Sequence, residues 1–319
     1  MSKPYLSALI PVYNEEENLE ALGVEVSGAL EGLGRTYEVI LVDDGSRDKS
    51  WDLIRDLVKK HKGFRGVRLG RNAGQTAALL AGIQHAEGEL VVCLDADMQN
   101  DARDIPKLLA KMDEGYDVVS GWRKDRRDRF LDRKLPSTIA NALISRITGV
   151  NLHDYGCTLK LYKSQYLKPL RLYGEMHRFV PAFAGFLGAR IAEVPVNHRA
   201  RTAGVSKYGI TRTFKVLLDL MTVKFMDAYL GKPIYLFGGG GVGMGLLGVA
   251  FGAYTLYKKF CLGVFVKDQP LFQVSIFCLL IGFQMVLLGL LAEILVRIYY
   301  DLKDMRPYFV RETAGFQPD

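Results

Sequence analysis

The sequence predicts an α/β domain with a mostly parallel, Rossmann-like sheet, followed by an amphipathic interfacial helix and a hairpin of two membrane-crossing helices. Three observations carry this prediction. Apolar β-prone runs alternate with helical periodicity from Tyr5 to Ser120, the pattern of βαβ units. Two stretches, Pro233–Tyr257 and Pro270–Ala292, carry no charged residue and are each long enough to cross a hydrocarbon core of about 30 Å. Between these regions lies Thr211–Leu230, apolar at helical spacing with Arg212, Lys215 and Lys224 interspersed, as expected of a helix lying on a membrane surface.

Taken in order, Tyr5–Val12 reads as the first strand and Glu15–Leu33 as a helix. Tyr37–Val42 is a second strand and Lys49–Lys60 the helix after it. Phe64–Leu69 is a third strand, Ala73–Ala86 a helix, and Leu90–Leu94 a fourth strand. A short helix at Ile105–Asp113 leads to a fifth strand at Asp117–Ser120. A charge-dense segment from Arg123 to Arg133 precedes a helix at Ser137–Ile147. These elements divide the chain into a domain at 1–210, an interfacial helix at 211–232, two spans within 233–296 and a tail at 297–319.

Composition limits the function classes. Hydrophobic residues make up 49% and charged residues 24% of 319, which suits a folded globule. A net charge of +7 fits phosphates and anionic lipid headgroups once two spans are present, and no nucleic-acid partner is expected. Cys93, Cys157, Cys261 and Cys278 show no metal or disulfide spacing and read as packing residues. No signal-peptide pattern precedes the first strand. Arg212, Lys215, Lys224 and Lys232 precede the first span, and Arg297, Lys303, Arg306 and Arg311 follow the second. Only Lys258, Lys259 and Lys267 lie between, so both ends are expected in the cytoplasm. Glycines four apart in the first span (Gly241/Gly245, Gly248/Gly252) allow close helix approach. They serve packing against the second span or a homo-oligomer equally well, and an oligomer is expected.

In a sheet of this kind ligands sit at the carboxyl ends of the strands. That places Pro11–Glu15, Asp43–Ser46 and Asp95–Gln99 on one rim. Asp95 and Asp97, two apart after a buried strand, are placed to converge on one hard cation, Mg²⁺ or Mn²⁺, whose shell is completed by water and phosphate oxygens. Asp43 offers a carboxylate to a base N–H and Tyr13 a flat face, while helix capping and turn formation explain Asp44, Ser46 and Asn14 as well. The chain has neither a GxxxxGK[ST] loop nor a GxGxxG after the first strand, which argues against P-loop and dinucleotide readings. His153, His177 and His198 lack ligand spacing and read as surface or structural residues.

The segments Pro11-Val12-Tyr13-Asn14-Glu15, Val42-Asp43-Asp44-Gly45-Ser46 and Asp95-Ala96-Asp97-Met98-Gln99, in this order, resemble family 2 glycosyltransferases of the GT-A fold. Arg71-Asn72-Ala73-Gly74-Gln75, His153-Asp154-Tyr155-Gly156-Cys157, Ser206-Lys207-Tyr208 and the two C-terminal spans narrow the resemblance to polyprenyl-phosphate glycosyltransferases. These include dolichol-phosphate mannose synthases, bactoprenol glucosyltransferases and, through Asp154–Cys157 and Arg306–Val310, undecaprenyl-phosphate aminoarabinose transferases. The resemblance implies inverting transfer of a sugar from a nucleotide-diphosphate donor, UDP favoured, to undecaprenyl phosphate at the cytoplasmic face of a bacterial inner membrane.

It further implies that Pro11, Tyr13, Glu15 and Asp43 hold the nucleotide and that Asp95 and Asp97 hold the metal and diphosphate, with Gln99 close by. Arg123, Arg133 and Ser137 fall where family members bind the lipid phosphate, with Lys134 an alternative to Arg133, and Arg201, Ser206 and Lys207 resemble the segment that closes over the diphosphate. Asp154 falls where family members place a catalytic base. A phosphate monoester has its second pKa near about 6 and needs little deprotonation, so Asp154 serves equally well to orient the acceptor or an arginine. A processive polysaccharide synthase would need more spans and a Gln-x-x-Arg-Trp motif, and neither Trp51 nor Trp122 sits in one. A non-catalytic membrane scaffold would not need Asp95, Asp97 and Asp154 intact.

Overall fold

The computed structural model describes residues 3–124, 141, 144–146, 148–172, 174, 176–199, 233–301 and 307–316. The chain forms β1 (Leu6–Val12), α1 (Leu19–Glu31), β2 (Tyr37–Asp43), α2 (Ser50–Lys60), β3 (Phe64–Leu69), α3 (Gln75–His85), β4 (Leu90–Cys93) and α4 (Ile105–Asp113). Next come β5 (Val118–Trp122), β6 (Lys160–Lys163), α5 (Ser164–Leu167), α6 (Val180–Phe186), β7 (Ile191–Pro195), α7 (Ile234–Leu262), α8 (Pro270–Asp301) and β8 (Val310–Ala314). It divides into two compact units, 1–221 with 306–319, and 222–305.

The first unit is built on one eight-stranded sheet of order β7-β5-β6-β4-β1-β2-β3-β8. The pairings β4–β1, β1–β2, β2–β3 and β5–β7 are parallel; β4–β6, β5–β6 and β3–β8 are antiparallel. Leu6, Ala8, Ile10 and Val12 face one side with Val39 and Leu41, packed with Leu19, Leu22 and Val26 of α1, Ile54 and Leu57 of α2, and Leu108 of α4. The alternate residues Leu9, Ile40 and Val91 are equally buried, as strands covered on both faces require.

The five expected strands and the helices between them are present, while the first helix begins at Leu19 rather than Glu15. Residues 15–18 instead turn so that Asn18 and Leu19 N–H both donate to the Glu15 carbonyl. The tail, set apart as 297–319 in the sequence reading, supplies an eighth strand that the reading did not foresee. As an edge strand it leaves Arg311, Glu312 and Thr313 exposed, so it lacks the apolar alternation by which strands are read. It is fixed by Trp51 Nε1 donating to Glu312 Oε2 at 3.0 Å, by Gly70 N–H on the Phe309 carbonyl and by a Tyr308–Gln84 hydrogen bond. The expected interfacial helix at 211–230 lies outside the described residues, as does most of Ser137–Ile147.

In the second unit, α7 and α8 are long and apolar enough to cross a membrane, with mean hydropathy of 1.6 and 2.5. Val242, Leu246, Phe260, Phe277 and Phe283 point outward, which water would penalise and hydrocarbon would not. The helices meet through glycine. A Cβ at Gly241 would lie 2.6 Å from the Gly282 carbonyl oxygen, and Ser275 Oγ donates to the Gly248 carbonyl at 2.7 Å. Packing within the hairpin therefore uses Gly241 and Gly248 from the glycine stripe.

Candidate active site

Strand direction gathers the polar segments. Strands β1, β2, β4, β5 and β7 all end on one rim, and β6, running the other way, begins there. The rim therefore collects 12–16, 43–46, 94–99, 123–124, 154–160 and 196–199.

The first two loops are latched together. Ser46 Oγ accepts the Asn14 N–H at 3.0 Å, Asn14 Oδ1 accepts the Arg47 N–H at 2.9 Å, and Ser50 Oγ accepts the Glu15 N–H at 3.0 Å. Asn14 sits at φ 53, the left-handed region that Asn tolerates better than most residues. Asp44 accepts the N–H groups of Ala73 and Gly74 at 2.7 and 2.9 Å. This tie brings the two backbones so close that a Cβ at Gly45 would lie 2.5 Å from the Arg71 carbonyl carbon. Pro11, Tyr13 and Glu15 keep accessible surface in this frame. Asp43 does not: it is 0% exposed, accepts the Ser46 N–H at 3.0 Å and faces Arg68 Nε at 3.3 Å. Asp43 Oδ1 thus holds the loop that carries Ser46.

Asp95 and Asp97 follow β4 in a turn closed by the Gln99 N–H on Asp97 Oδ1 at 3.2 Å. Met98 has φ 58, a costly conformation for a non-glycine side chain and one that concentrates at functional turns. Burial, then the negative charge of Asp97, push the Asp95 carboxyl up to about 6, against the opposing effects of Thr158, Arg123 and Lys160. Gln75, at the start of α3, donates to Asp95 Oδ1 at 2.8 Å. Among the described residues Asp95 has an acid and a neutral donor as its close neighbours, with Arg123 and Lys160 acting on it without an ion pair. Two such carboxylates fit a divalent cation. Among the described residues no group of three or more His, Cys, Asp or Glu side chains forms a cage, which suits an ion that takes the rest of its shell from phosphate and water.

Across the rim, Arg123 Nε and Nη2 bond Asp154 Oδ2 and Oδ1 at 2.7 and 2.9 Å, with side chains 12% and 5% exposed. Burial works against the Arg123 charge, and the Asp154 carboxylate more than offsets it, holding Arg123 above its ordinary pKa. Glu193 in turn accepts the N–H groups of His153 and Asp154. An aspartate whose two oxygens are both committed to a guanidinium is a poor base and a good orienter, because the fork geometry fixes the arginine. The remaining Arg123 donors are directed by that pairing. Arg123 and Asp95 stand at the ends of β5 and β4, on the two sides of β6, and each favours the charge of the other.

The rim thus brings together Pro11, Tyr13, Glu15, Asp43, Asp95, Asp97, Gln99, Arg123 and Asp154, Asp43 being buried within it. Arg133, Ser137, Arg201, Ser206 and Lys207 lie outside the described residues. The described chain reaches Arg199, whose N–H donates to the Gln99 carbonyl at 3.0 Å and whose guanidinium bridges Glu25 and Asp101. Sequence reasoning missed Gln75, Lys160, Glu193 and Arg199 as rim residues. The three histidines take the surface or structural roles expected of them. His153 bonds Glu193 and stacks on Trp122, His177 bonds Thr76 beside Gln75, and His198 bridges Asn100. Only Gln75, in the turn after β3, stood within a recognised motif.

Comparison with known proteins agrees with this geometry. Residues 7–171 match the family model described as glycosyl transferase family 2. The chain is 44% identical to a dodecaprenyl-phosphate galacturonate synthase of Rhizobium johnstonii, over 98% of this chain and 94% of that protein. It is 37% identical to an undecaprenyl-phosphate 4-deoxy-4-formamido-L-arabinose transferase of Edwardsiella ictaluri, over 99% and 96%. Among solved structures, glucosyl-3-phosphoglycerate synthase of Mycobacterium tuberculosis, in complex with Mn²⁺, UDP and phosphoglyceric acid, superposes with a TM-score of 0.55. It does so at 17% identity, over 70% of this chain and 78% of that one, a likeness of fold.

Proposed function

The chain belongs to glycosyltransferase family 2, and we propose that it transfers a sugar from a nucleoside-diphosphate donor, UDP-linked, to undecaprenyl phosphate at the cytoplasmic face of a bacterial inner membrane. The observation that carries this reading is the pairing, on one rim, of an acid-rich turn (Asp95, Asp97) with an oriented arginine (Arg123–Asp154). The first suits a metal-bound diphosphate and the second a lipid phosphate. The polyprenyl-phosphate acceptors of both named relatives support the acceptor class.

Pro11, Tyr13 and Glu15 form the nucleotide platform, held by the Asn14–Ser46 latch that Asp43 stabilises. Asp95 and Asp97 hold Mg²⁺ or Mn²⁺, which when bound neutralises the diphosphate as the sugar–phosphate bond breaks. Gln75 fixes the Asp95 carboxylate, and Arg201 and Lys207 complete the diphosphate contacts. Arg123, with Arg133 and Ser137, holds the lipid phosphate. An oxygen of that phosphate attacks the anomeric carbon, the C–O bond to the diphosphate breaks on the opposite face, and the configuration inverts. The acceptor is largely ionised at neutral pH, so Asp154 acts by orienting Arg123, and the acceleration comes from positioning and charge. β8 belongs to the same sheet as β1, so an even number of crossings separates them, which supports both termini on one side of the membrane. Assembly into a homo-oligomer belongs to the same proposal, on the exposed apolar surface of the hairpin.

The test incubates detergent-purified protein with undecaprenyl phosphate, Mg²⁺ or Mn²⁺ and a panel of UDP- and GDP-sugars, uronic and amino sugars included. Lipid-dependent release of nucleoside diphosphate from one donor is the expected outcome. Donor turnover that ignores the lipid would refute the acceptor.

A further inference from the structure

Lys160 is the first residue of β6, and only 4% of it is exposed, an unusual burial for a lysine. Strand register sets it opposite Cys93 on one side and Ser120 on the other. It therefore stands between the strand that delivers Asp95 and the strand that delivers Arg123. Its Nζ donates to the Tyr155 carbonyl at 2.9 Å, next in sequence to Asp154. Among the described residues it forms no ion pair, so no single carboxylate claims its charge. An ammonium buried without a direct counter-ion is costly and persists where the surrounding field compensates it.

Burial pushes Lys160 below the ordinary lysine value and Arg123 adds to that, while the charge of Asp154 favours the ammonium; the Lys160 charge in turn favours the ionised form of Asp95. A neutral residue in place of Lys160 would take one positive charge from between the Asp95–Asp97 turn and Arg123.

We propose that Lys160 is a positioning residue shared by the two halves of the site, whose buried charge weakens cation binding at Asp95–Asp97 and strengthens anion binding at Arg123. The inference rests on the assignment of those halves to a metal-bound diphosphate and a lipid phosphate. It gives an effect of opposite sign on the two ligands, which loss of packing cannot do.

The experiment compares wild type, Lys160→Met, Lys160→Gln and Lys160→Arg as full-length protein in detergent. Mn²⁺ affinity in the presence of UDP is read from the electron paramagnetic resonance of free Mn²⁺, and undecaprenyl phosphate binding from native mass spectrometry. Lys160→Met should bind Mn²⁺ roughly three- to tenfold more tightly and undecaprenyl phosphate weaker by a similar factor, the size expected of one partly screened charge. Lys160→Gln, which keeps a donor for the Tyr155 carbonyl, should show the same signs even if Lys160→Met does not fold. Lys160→Arg should stay near wild type. Parallel weakening of both ligands, or no change in either, would overturn the inference. Failure of wild type to bind Mn²⁺ with UDP, or the lipid, would instead remove the functional reading beneath it.

Discussion

Asp95 and Asp154 are the same side chain on the same rim, put to opposite use by their neighbours. Asp95 has another carboxylate two residues away and an uncharged glutamine on its Oδ1, and its pKa is raised to about 6. Asp154 has both oxygens on a guanidinium, with the Gly156 N–H also donating to Oδ1 at 3.1 Å. The first centre holds two carboxylates with no ion pair to Asp95 among the described residues, which is the setting proposed for a cation. The second has its charge balanced and presents an arginine to an anion. The sequence reading sets Asp95 with the metal and Asp154 with the base or acceptor, and the difference in local charge supports the proposed split between donor and acceptor sides.

The sharpest way to break this comparison is to remove the acid surplus. Asp97→Asn should lower kcat/KM by on the order of 10³-fold, with Mn²⁺ binding in the presence of UDP lost in parallel. Retained metal binding would show the turn to be structural. Next in size, Asp154→Asn keeps an oxygen for Arg123 but removes the charge that fixes it. A loss of about 10²-fold is expected, carried mainly by KM for undecaprenyl phosphate. If Asp154 were instead an obligatory base, kcat would carry the loss. Gln75→Ala should cost about tenfold in kcat/KM, one hydrogen bond to a charged group, with donor KM rising and lipid KM unchanged.

A pH effect sharpens the same contrast. The Asp95 carboxyl must be ionised to bind a cation, and its folded pKa lies above the ordinary value of 3.8. Mn²⁺ affinity should therefore fall as pH drops through about 6. In metal-free protein the sign reverses. A carboxyl with a raised folded pKa costs stability above that pKa, and the cost disappears as pH falls below the unfolded value. This group should therefore make the metal-free Tm rise between pH 7 and pH 5, which a pH series of thermal melts with and without Mn²⁺ would show. The smallest effect belongs to the tail. Glu312→Gln weakens the Trp51 hydrogen bond and should cost about 1 kcal/mol of stability in denaturant titrations, with kcat changed less than twofold.

Much of this was legible in the chain. Continuous apolar strands, βα alternation and the clusters at strand ends pointed to the first five strands and the rim, because parallel strands put successive carboxyl ends together, but not to β6, β7 or β8. What was not legible came from pairings across long separations. Arg123 and Asp154 stand 31 residues apart, and only the reversed direction of β6 brings them together. Lys160, in the short strand Lys-Leu-Tyr-Lys, looks like any surface lysine until both neighbouring strands cover it. β8 escaped notice because an exposed edge strand carries Arg311 and Glu312 where a buried strand would alternate apolar residues.

The central claim is that Arg123 serves the acceptor while the Asp95–Asp97 turn serves the donor. Steady-state kinetics of Arg123→Lys test it most directly, because lysine keeps the charge and loses the fork that Asp154 orients. The account predicts that KM for undecaprenyl phosphate rises about tenfold or more while donor KM stays within twofold of wild type. A rise in donor KM with lipid KM unchanged would contradict it.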